Sequence, residues 1–440
     1  YDLVIHNGTI VTVNRRFDTI PDGLLCVKDG KLERLETIAA HQSLPAATET
    51  IDAGGGLIMP GLVNSHTHLP MSLFRGLADD LPLDNWLNEH IFPAEGAHIQ
   101  PQSVRWGTLL ACAEMLLSAT TTCCDGYFLE DQVAEAIRTS GMRAVLAQGV
   151  IDFPAPGVPD RMENMKIPQT FCAKWHNPTS LITPSIFCHS AYTCSAETLK
   201  KAKAYCVENG LRFQIHAAET KNEWQQIQNE HQSTPIQYLD QLGILDENTL
   251  LIHCVWIDED DIKIIAASNA SVSHNPESNA KLAAGIAPAP KLLKAGICVG
   301  LGTDGCASNN NLDLFAEMDT AAKLHKANHL DPVVMDAATV LAMATTQGAR
   351  ALGLGKITGS LTVGKRADVI IIDTNKPHLT PLYDPVSHLV YAVSGSDVTT
   401  SIINSRLVME NRRLLTMDVK AVMDAVNQIA DEIRYFAARK

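Results

Sequence analysis

The sequence comprises 440 residues with an apolar fraction of 46%, enough for one enzyme-sized globular domain and a smaller one. Its formal net charge of -14 argues against a nucleic-acid-binding surface, because phosphate neutralisation requires a basic patch. Eleven cysteines without a CxxC pair favour reduced, buried thiols over a disulfide framework or a zinc-thiolate site. We therefore expect a small-molecule partner.

The first stretch of the chain, "YDLVIHNGTIVTVNRR", alternates like a β-strand and lacks the basic-then-apolar profile of a signal peptide. The sequence contains no run of 18 uncharged apolar residues, the length that a membrane-spanning helix needs. These features predict a cytoplasmic protein that does not contact a membrane.

Short strands dominate both ends of the chain. Residues 1–57 contain alternating runs broken by turn signals such as Asp29-Gly30, as expected of β-hairpins. The segments "GSLTVGKRADVIIIDTN" and "VTTSIINSRLVMENRRLL" show the same pattern much later. The simplest interpretation is one small β-domain with parts over 1–57 and 359–415, followed by a C-terminal helix over 416–440.

The middle of the chain, residues 58–358, alternates about eight apolar strand-like runs with helical segments. Continuous apolar runs are typical of strands buried on both faces of a parallel sheet. Eight βα units favour a closed (β/α)8 barrel of the TIM type, with an open doubly wound sheet as the alternative. Dinucleotide binding has no support, because no GxGxxG follows the first strand.

Polar residues end nearly every one of these runs, which is where barrel enzymes place their chemistry. His66 and His68 are two residues apart, so their side chains point to the same side of a strand. His216 ends "LRFQIH" and Asp304 ends "CVGLGTD". Three imidazoles and one carboxylate suit Zn²⁺ or Fe²⁺ with water in the remaining position. A lone histidine is more often structural, but four suitable residues at strand ends predict a metal site.

The order of HxH, a later His, a further His and a final Asp in "GTDG" resembles the amidohydrolase superfamily. The resemblance covers essentially the whole chain, including "IMPGLVNSHTH" and "GSLTVGKRADVIIID", and implies a (β/α)8 barrel with a small β-sandwich built from both termini. Dinuclear members carry a carboxylated lysine on the fourth strand, where this sequence has His189. The resemblance therefore implies one divalent metal, zinc in preference to iron, held by His66, His68, His216 and Asp304.

The deaminase branch of that superfamily carries a glutamate three residues after the third metal histidine, and "HAAE" places Glu219 there. The resemblance implies that Glu219 shuttles protons, that His253 orients the attacking hydroxide, and that Asp304 also takes the proton of the water. Taken alone, Glu219 could be an acidic residue at a helix start. The zinc deaminases with an HxE and PCxxC signature are excluded, since no PCxxC occurs.

Three longer segments resemble the 5′-methylthioadenosine/S-adenosylhomocysteine deaminases: "MSLFRGLADDLPLDNWLNEHIFPAE", "SHNPESNAKLAAGIAPAPKLLKAG" and "GTDGCASNNNLDLFAEM". The implied reaction replaces the amine of the adenine ring by oxygen and releases ammonia. The implied contacts are Trp86 against the thioether, Glu95 on the ribose hydroxyls, and His189 on the nucleoside. Glu219 and Asp304 would also touch the substrate.

Arginines are the main departure from the family pattern. Some relatives carry one at the end of the third strand, where this chain has Gln148, and Arg161 in "GVPDRMEN" is a candidate for a second substrate arginine. If the missing arginine serves the amino-acid tail of S-adenosylhomocysteine, the smaller methylthio nucleoside would be preferred.

Other functions remain as alternatives on the same site: deamination of guanine or cytosine, or hydrolysis of an aminotriazine. A catalytically silent binding protein is disfavoured, because every metal ligand is present. A homo-oligomer is implied by the resemblance alone.

Overall fold

The computed structural model describes residues 1–39, 42–81, 85–177 and 180–437. Within these ranges, strands from the two chain ends join in one nine-stranded mixed sheet. Its strands are Leu3–Val11 (β1), Thr19–Lys28 (β2), Lys31–Thr37 (β3), Glu49–Asp52 (β4), Leu57–Pro60 (β5), Val369–Ile372 (β14), Val398–Ile403 (β15), Arg406–Glu410 (β16) and Arg413–Leu414 (β17). They pair in the order β17-β16-β15-β14-β5-β1-β2-β3, with β4 on β1.

The middle of the chain forms an eight-stranded sheet whose neighbouring strands are parallel and follow one another in sequence. Its strands are Leu62–Thr67 (β6), Thr120–Tyr127 (β7), Arg143–Val150 (β8), Ile182–Ser190 (β9), Arg212–Ala217 (β10), Thr249–His253 (β11), Ser271–His274 (β12) and Val299–Leu301 (β13). The amide of Asp304, after β13, donates to the carbonyl of His66 in β6 at 3.0 Å and so connects the last strand to the first. The predicted barrel with a β-domain from both termini is confirmed.

Helices connect the strands and cover the barrel. The α-helices are Phe92–His98, Pro101–Leu117, Glu130–Ser140, Lys166–Trp175, Ala196–Asn209, Lys221–His231, Pro235–Gln241, Glu259–Ser268, Pro276–Lys281, Ala289–Lys294, Leu314–His329, Ala337–Ala342, Gly348–Ala351, Pro385–Tyr391 and Val419–Ala437. Side-chain caps fix several of the starts, because an oxygen of Ser195, Thr220 or Thr234 accepts a free amide of the first turn. Shorter 3₁₀ or π segments span Leu69–Phe74, Trp86–Ile91, Arg161–Glu163, Met343–Gln347, Pro377–Leu379 and Gly395–Asp397.

A buried ion pair joins the barrel to the terminal sheet. The guanidinium of Arg143, at the start of β8, donates from Nε and Nη2 to the two carboxylate oxygens of Asp368 at 2.8 and 3.0 Å. The backbone amide of Asn404 also donates to Asp368, at 2.7 Å. The sheet itself extends to Leu57–Pro60, which pairs with β1 and β14. The domain boundaries given above stay a prediction.

Two expectations from composition concern the cysteines and the membrane. All eleven cysteines are free and buried, as predicted. Among the described residues, no helix combines the length and apolar character that crossing a membrane requires.

Candidate active site

Four imidazoles and one carboxylate meet at the carboxyl ends of the barrel strands. Nε2 of His66 lies 3.2 Å from Nε2 of His216 and 3.3 Å from Oδ1 of Asp304. Nε2 of His68 lies 3.4 Å from the same carboxylate oxygen. Two overlapping groups, His66/His68/His216 and His66/His253/Asp304, each have their ligand atoms within 4.8 Å of one another. The structure therefore brings together all four residues predicted as metal ligands.

The ends of the strands explain why these side chains converge. His66 lies in β6, His68 follows it directly, and His216 lies one residue before the end of β10. Parallel strands of a barrel present their carboxyl ends at one mouth. Asp304 has a positive φ of 60°, which is uncommon for a residue other than glycine and typical of constrained functional positions.

The hydrogen bonds around the cluster suit a divalent metal. Nδ1 of His68 lies 2.6 Å from the carbonyl oxygen of Gly126, so this nitrogen carries the hydrogen and Nε2 keeps its lone pair. Nε2 of His66 and Nε2 of His216 face each other across 3.2 Å, a separation at which both nitrogens can bind one shared cation. The second oxygen of Asp304 accepts from the hydroxyls of Ser278 and Ser308, at 2.6 and 2.8 Å. The donor set of neutral imidazoles and a carboxylate fits zinc chemistry.

Burial keeps two imidazoles of the cluster, those of His66 and His216, neutral. Burial lowers the pKa of His66 to about 3 and that of His216 well below its usual value. Burial acts to raise the pKa of Asp304, but the hydrogen bond from His66 and the neighbouring imidazoles outweigh it and hold that pKa well below its usual value. Neutral histidines and an ionised carboxylate are the protonation states in which these residues bind metals.

Glu219 and His253 lie beside the cluster. Oε1 of Glu219 is 3.9 Å from Nε2 of His253, and burial raises the pKa of the glutamate. Nδ1 of His253 is 2.9 Å from the amide oxygen of Asn279, so this nitrogen donates and Nε2 faces Glu219. A carboxyl group with a raised pKa is suited to carrying a proton near neutral pH.

A cavity of about 550 Å³ opens above the cluster and includes Glu219, His253 and Asp304 in its lining. Trp86 and Glu95 form part of its wall, and both are buried. The hydroxyl of Tyr127 donates to the carboxylate of Glu95, while burial raises the pKa of Glu95 to about 7. The structure thus places the predicted Trp86 and Glu95 in the same cavity as the cluster.

His189 also lines this cavity, with its ring centroid 5.2 Å from that of His216. Nδ1 of His189 is 3.0 Å from the hydroxyl oxygen of Thr193. Burial lowers the pKa of His189 to about 4, so the ring is neutral at pH 7 and can donate one hydrogen bond and accept another.

Gln148 and Arg161, the two positions that bear on substrate arginines, lie outside the cavity lining. Gln148 is buried, and its side-chain oxygen accepts the backbone amide of Glu130 at 3.1 Å. Arg161 begins a short 3₁₀ helix and is exposed. It is absent from the cavity wall, although Pro159 belongs to it. The geometry therefore does not support Arg161 as a substrate-binding residue.

Sequence reasoning missed the supporting residues of the site. Tyr127, Ser278 and Ser308 were not predicted, although each hydrogen-bonds to a predicted residue. Tyr127 ends β7, so the same rule that identified the histidines at strand ends could have identified it. Ser278 lies in the short helix Pro276–Lys281 and Ser308 in a turn, and neither position follows a pattern that reveals the direction of its side chain.

Comparison with known proteins decides the family. The model of the amidohydrolase family matches residues 57–408. The chain belongs to the amidohydrolase family. It is 48% identical to the 5-methylthioadenosine/S-adenosylhomocysteine deaminase of Syntrophobacter fumaroxidans, over 98% of both chains. It is 41% identical to the 5′-deoxyadenosine deaminase of Methanosarcina acetivorans, again over 98% of both. The resemblance inferred from the sequence is confirmed.

A solved structure extends the same likeness to three dimensions. The crystal structure of an adenosine deaminase from Xanthomonas campestris with bound zinc superposes with a TM-score of 0.96 at 36% sequence identity, covering 99% of each chain. This amidohydrolase therefore shares its whole architecture with a zinc-containing relative.

Proposed function

We propose that this amidohydrolase hydrolyses the amine from the adenine ring of 5′-modified adenosines, giving the inosine analogue and ammonia. The observation that carries the proposal is the juxtaposition of Glu219 with the imidazole and carboxylate cluster, at the base of a cavity walled by Trp86 and Glu95. The names of the deaminase relatives support the same reaction.

One divalent metal, zinc by preference, would be held by His66, His68, His216 and Asp304. Three histidines and a carboxylate fit zinc as well as iron, and the zinc-bound relative favours zinc. Bound there, the ion would supply a nucleophile near neutral pH by lowering the pKa of water to about 7.

The residues of the chain divide the proton transfers among them. Asp304 takes the proton of the attacking water on Oδ1, the oxygen that faces His66 and His68, while the two serines already described hold its other oxygen. Glu219 donates a proton to the ring nitrogen beside the amine-bearing carbon. It then takes up the proton of the added hydroxyl as the oxo group forms and passes it to the amine, which leaves as ammonia. His253, fixed through Asn279, orients the attacking oxygen and stabilises its charge.

The wall of the cavity would hold the nucleoside. Glu95 accepts hydrogen bonds from the ribose hydroxyls, and a charged acceptor makes such bonds stronger. Trp86 packs against the 5′ substituent and His189 contacts the nucleoside. Water adds to the ring carbon, the carbon–nitrogen bond breaks, and the products are the oxo nucleoside and ammonia.

The lining favours an uncharged 5′ substituent. Among the described residues of the cavity wall there is no lysine or arginine, and the side of Phe153, Pro154 and Pro156 is apolar. The carboxylate of the amino-acid tail in S-adenosylhomocysteine would find no cation there, and an unpaired charge is costly to desolvate. We therefore place 5′-methylthioadenosine and 5′-deoxyadenosine ahead of S-adenosylhomocysteine.

A substrate panel tests the proposal. Ammonia release by the zinc-loaded protein would be compared as kcat/KM for the three nucleosides above, adenosine, guanine, cytosine and an aminotriazine. We expect the uncharged 5′-modified adenosines to give the highest values. A free base or the triazine as best substrate would overturn the nucleoside assignment, and the absence of any turnover would overturn deamination. A cytoplasmic location and a homo-oligomeric state stay predictions.

A further inference from the structure

Glu223 is a buried carboxylate behind the loop that carries Glu219. It lies in the first turn of the helix Lys221–His231 and is 4% exposed. Its Oε1 accepts the backbone amide of Ala218 at 2.9 Å, and its Oε2 accepts that of Glu219 at 2.7 Å. One carboxylate thus holds two consecutive amides, which restricts the peptide more than a single hydrogen bond would.

The same peptide is held from its other side. The carbonyl oxygen of Ala218 accepts the amides of Val255 and Trp256, at 2.9 and 2.8 Å, in the loop that follows His253. Ala218 has a positive φ of 52°, so the chain turns sharply just before Glu219. Hydrogen bonds on the amide and the carbonyl side together fix the direction in which Glu219 leaves the backbone.

The start of the helix does not by itself require this carboxylate. The hydroxyl of Thr220 already caps it by accepting the backbone amide of Glu223 at 3.1 Å. Burial raises the pKa of Glu223 to about 7, which means that its charged form is disfavoured at this place. Because Glu223 is buried and does not cap the helix, we attribute its presence to the two backbone hydrogen bonds that it accepts.

We propose that Glu223 is a positioning residue for the deamination, which fixes the main chain of Glu219 so that the Glu219 carboxyl meets the ring nitrogen of the substrate. The inference rests on the proposed function, because it assigns proton transfer to Glu219. Glu223 is absent from the cavity lining, so it would act through the main chain of Glu219 and not by contact with the substrate.

The test is a double-mutant cycle on the zinc-loaded protein with 5′-methylthioadenosine. Glu223→Gln keeps the size of the side chain but turns one acceptor into a donor that faces an amide hydrogen. We expect it to lower kcat by about 10- to 100-fold, because small displacements of catalytic groups cost about that much. KM should change less than about threefold. Glu219→Gln should lower kcat by about 100- to 10,000-fold.

The decisive value is the effect of Glu223→Gln in the Glu219→Gln background. If Glu223 acts through Glu219, the second substitution should lower kcat by less than about threefold further. A full 10- to 100-fold further loss would overturn the proposal, because it would show an effect that does not pass through Glu219. Unchanged kcat in the single Glu223→Gln variant would also overturn it.

Asp261→Asn is the matched control. Asp261 is a buried acid in the first turn of the helix Glu259–Ser268, and it accepts from Thr234 and from the amide of Asp258. Asp261→Asn should lower the midpoint temperature of thermal unfolding without changing kcat. Should Glu223→Gln fail to fold, Glu223→Asp replaces it in the cycle, since it keeps the charge but shortens the reach.

The panel of substrates distinguishes failure of the proposed function from failure of the positioning role of Glu223. If the wild-type protein deaminates none of the nucleosides, the proposed function fails and Glu223 has no reaction to support. If the wild type is active but the two substitutions lower kcat independently, only the positioning role of Glu223 fails.

Discussion

The hydroxyl of Tyr127 is the partner of Glu95 inside the cavity, and this hydrogen bond acts to lower the pKa that burial raises. Tyr127→Phe removes the donor and keeps the ring. Without this donor the pKa of Glu95 should rise further, so that less of Glu95 is a charged acceptor for the ribose hydroxyls at neutral pH. We expect KM for 5′-methylthioadenosine to rise about 10-fold, the value of one hydrogen bond to a charged group. Steady-state kinetics measure this change.

An analogue without the 2′ and 3′ hydroxyls is the control for Tyr127→Phe. Its KM should be the same for wild type and variant, because it offers Glu95 nothing to bind. Equal increases of KM for both nucleosides would mean that the variant has disturbed the cavity in general and not the ribose contact.

Glu95 also gives the protein a pH-dependent stability. Its pKa is about 7 in the folded protein against an ordinary value of 4.5, so between these values the folded state holds a proton that the unfolded chain has released. The free energy of unfolding therefore falls as the pH rises through this window. Glu95→Gln removes this titration.

We expect the stability of Glu95→Gln relative to wild type to increase from pH 4.5 to pH 7 and to level off above it. Denaturant unfolding at several pH values measures this difference. Glu230→Gln, at an exposed glutamate, is the control and should show no such trend. A difference that is flat across the window would contradict the raised pKa of Glu95.

At the scale of elements, the C-terminal helix Val419–Ala437 covers the part of the barrel that carries Glu95. Val422, Val426 and Ile433 form its buried face, with Val422 packed against Leu109. The ring of Phe436 lies 5.1 Å from that of His98, at the end of the helix Phe92–His98.

Ile433→Ala tests the packing of that helix. Ile433 is 2% exposed, so its truncation should lower the free energy of unfolding by about 2–5 kcal/mol. Met423→Ala on the same helix is the control, because Met423 is 49% exposed and should change stability by less than about 0.5 kcal/mol. Denaturant titration distinguishes the two. Equal losses would mean that the buried face is not what holds this helix.

The same scale shows what sequence patterns could predict. The helix Val419–Ala437 lies inside the predicted range 416–440, of which residues 438–440 lie outside the described residues, and its apolar residues recur with helical spacing. The sequence pattern could not predict which strands each terminal strand pairs with, since a four-residue apolar run such as Leu57–Pro60 is compatible with more than one partner strand. Only its pairing with β1 and β14 decides the matter.

For the whole molecule, the ion pair of Arg143 and Asp368 holds the barrel against the terminal sheet across 225 residues of sequence. Both side chains are buried. Asp368→Ala leaves Arg143 as an unpaired buried charge, which should cost about 3–5 kcal/mol of the free energy of unfolding.

Activity should survive that loss. Arg143 begins β8, at the opposite end of the strand from the site, so kcat/KM of the folded Asp368→Ala protein should stay within about threefold of wild type. Kinetics and unfolding of the same preparation measure both effects. A large loss of kcat/KM at temperatures where the variant is folded would show that this ion pair also affects the active site.

The sequence by itself determined the class of the protein and which residues to propose as metal ligands. Apolar strand runs with polar ends are local patterns, and the parallel barrel turns them into one site because it brings all carboxyl ends to one mouth. His66, His68, His216 and Asp304 could therefore be named before any contact was known.

Only the tertiary structure decided which side chains support those residues. Tyr127, at the end of β7, meets Glu95 on a helix, and Arg161 lies outside the cavity. Ser278 meets Asp304 from a short helix and Ser308 meets it from a turn. Such contacts depend on how loops leave the barrel and where each side chain points. Neither periodicity nor spacing carries that information, because a loop is shaped by what it packs against and not by a repeating pattern.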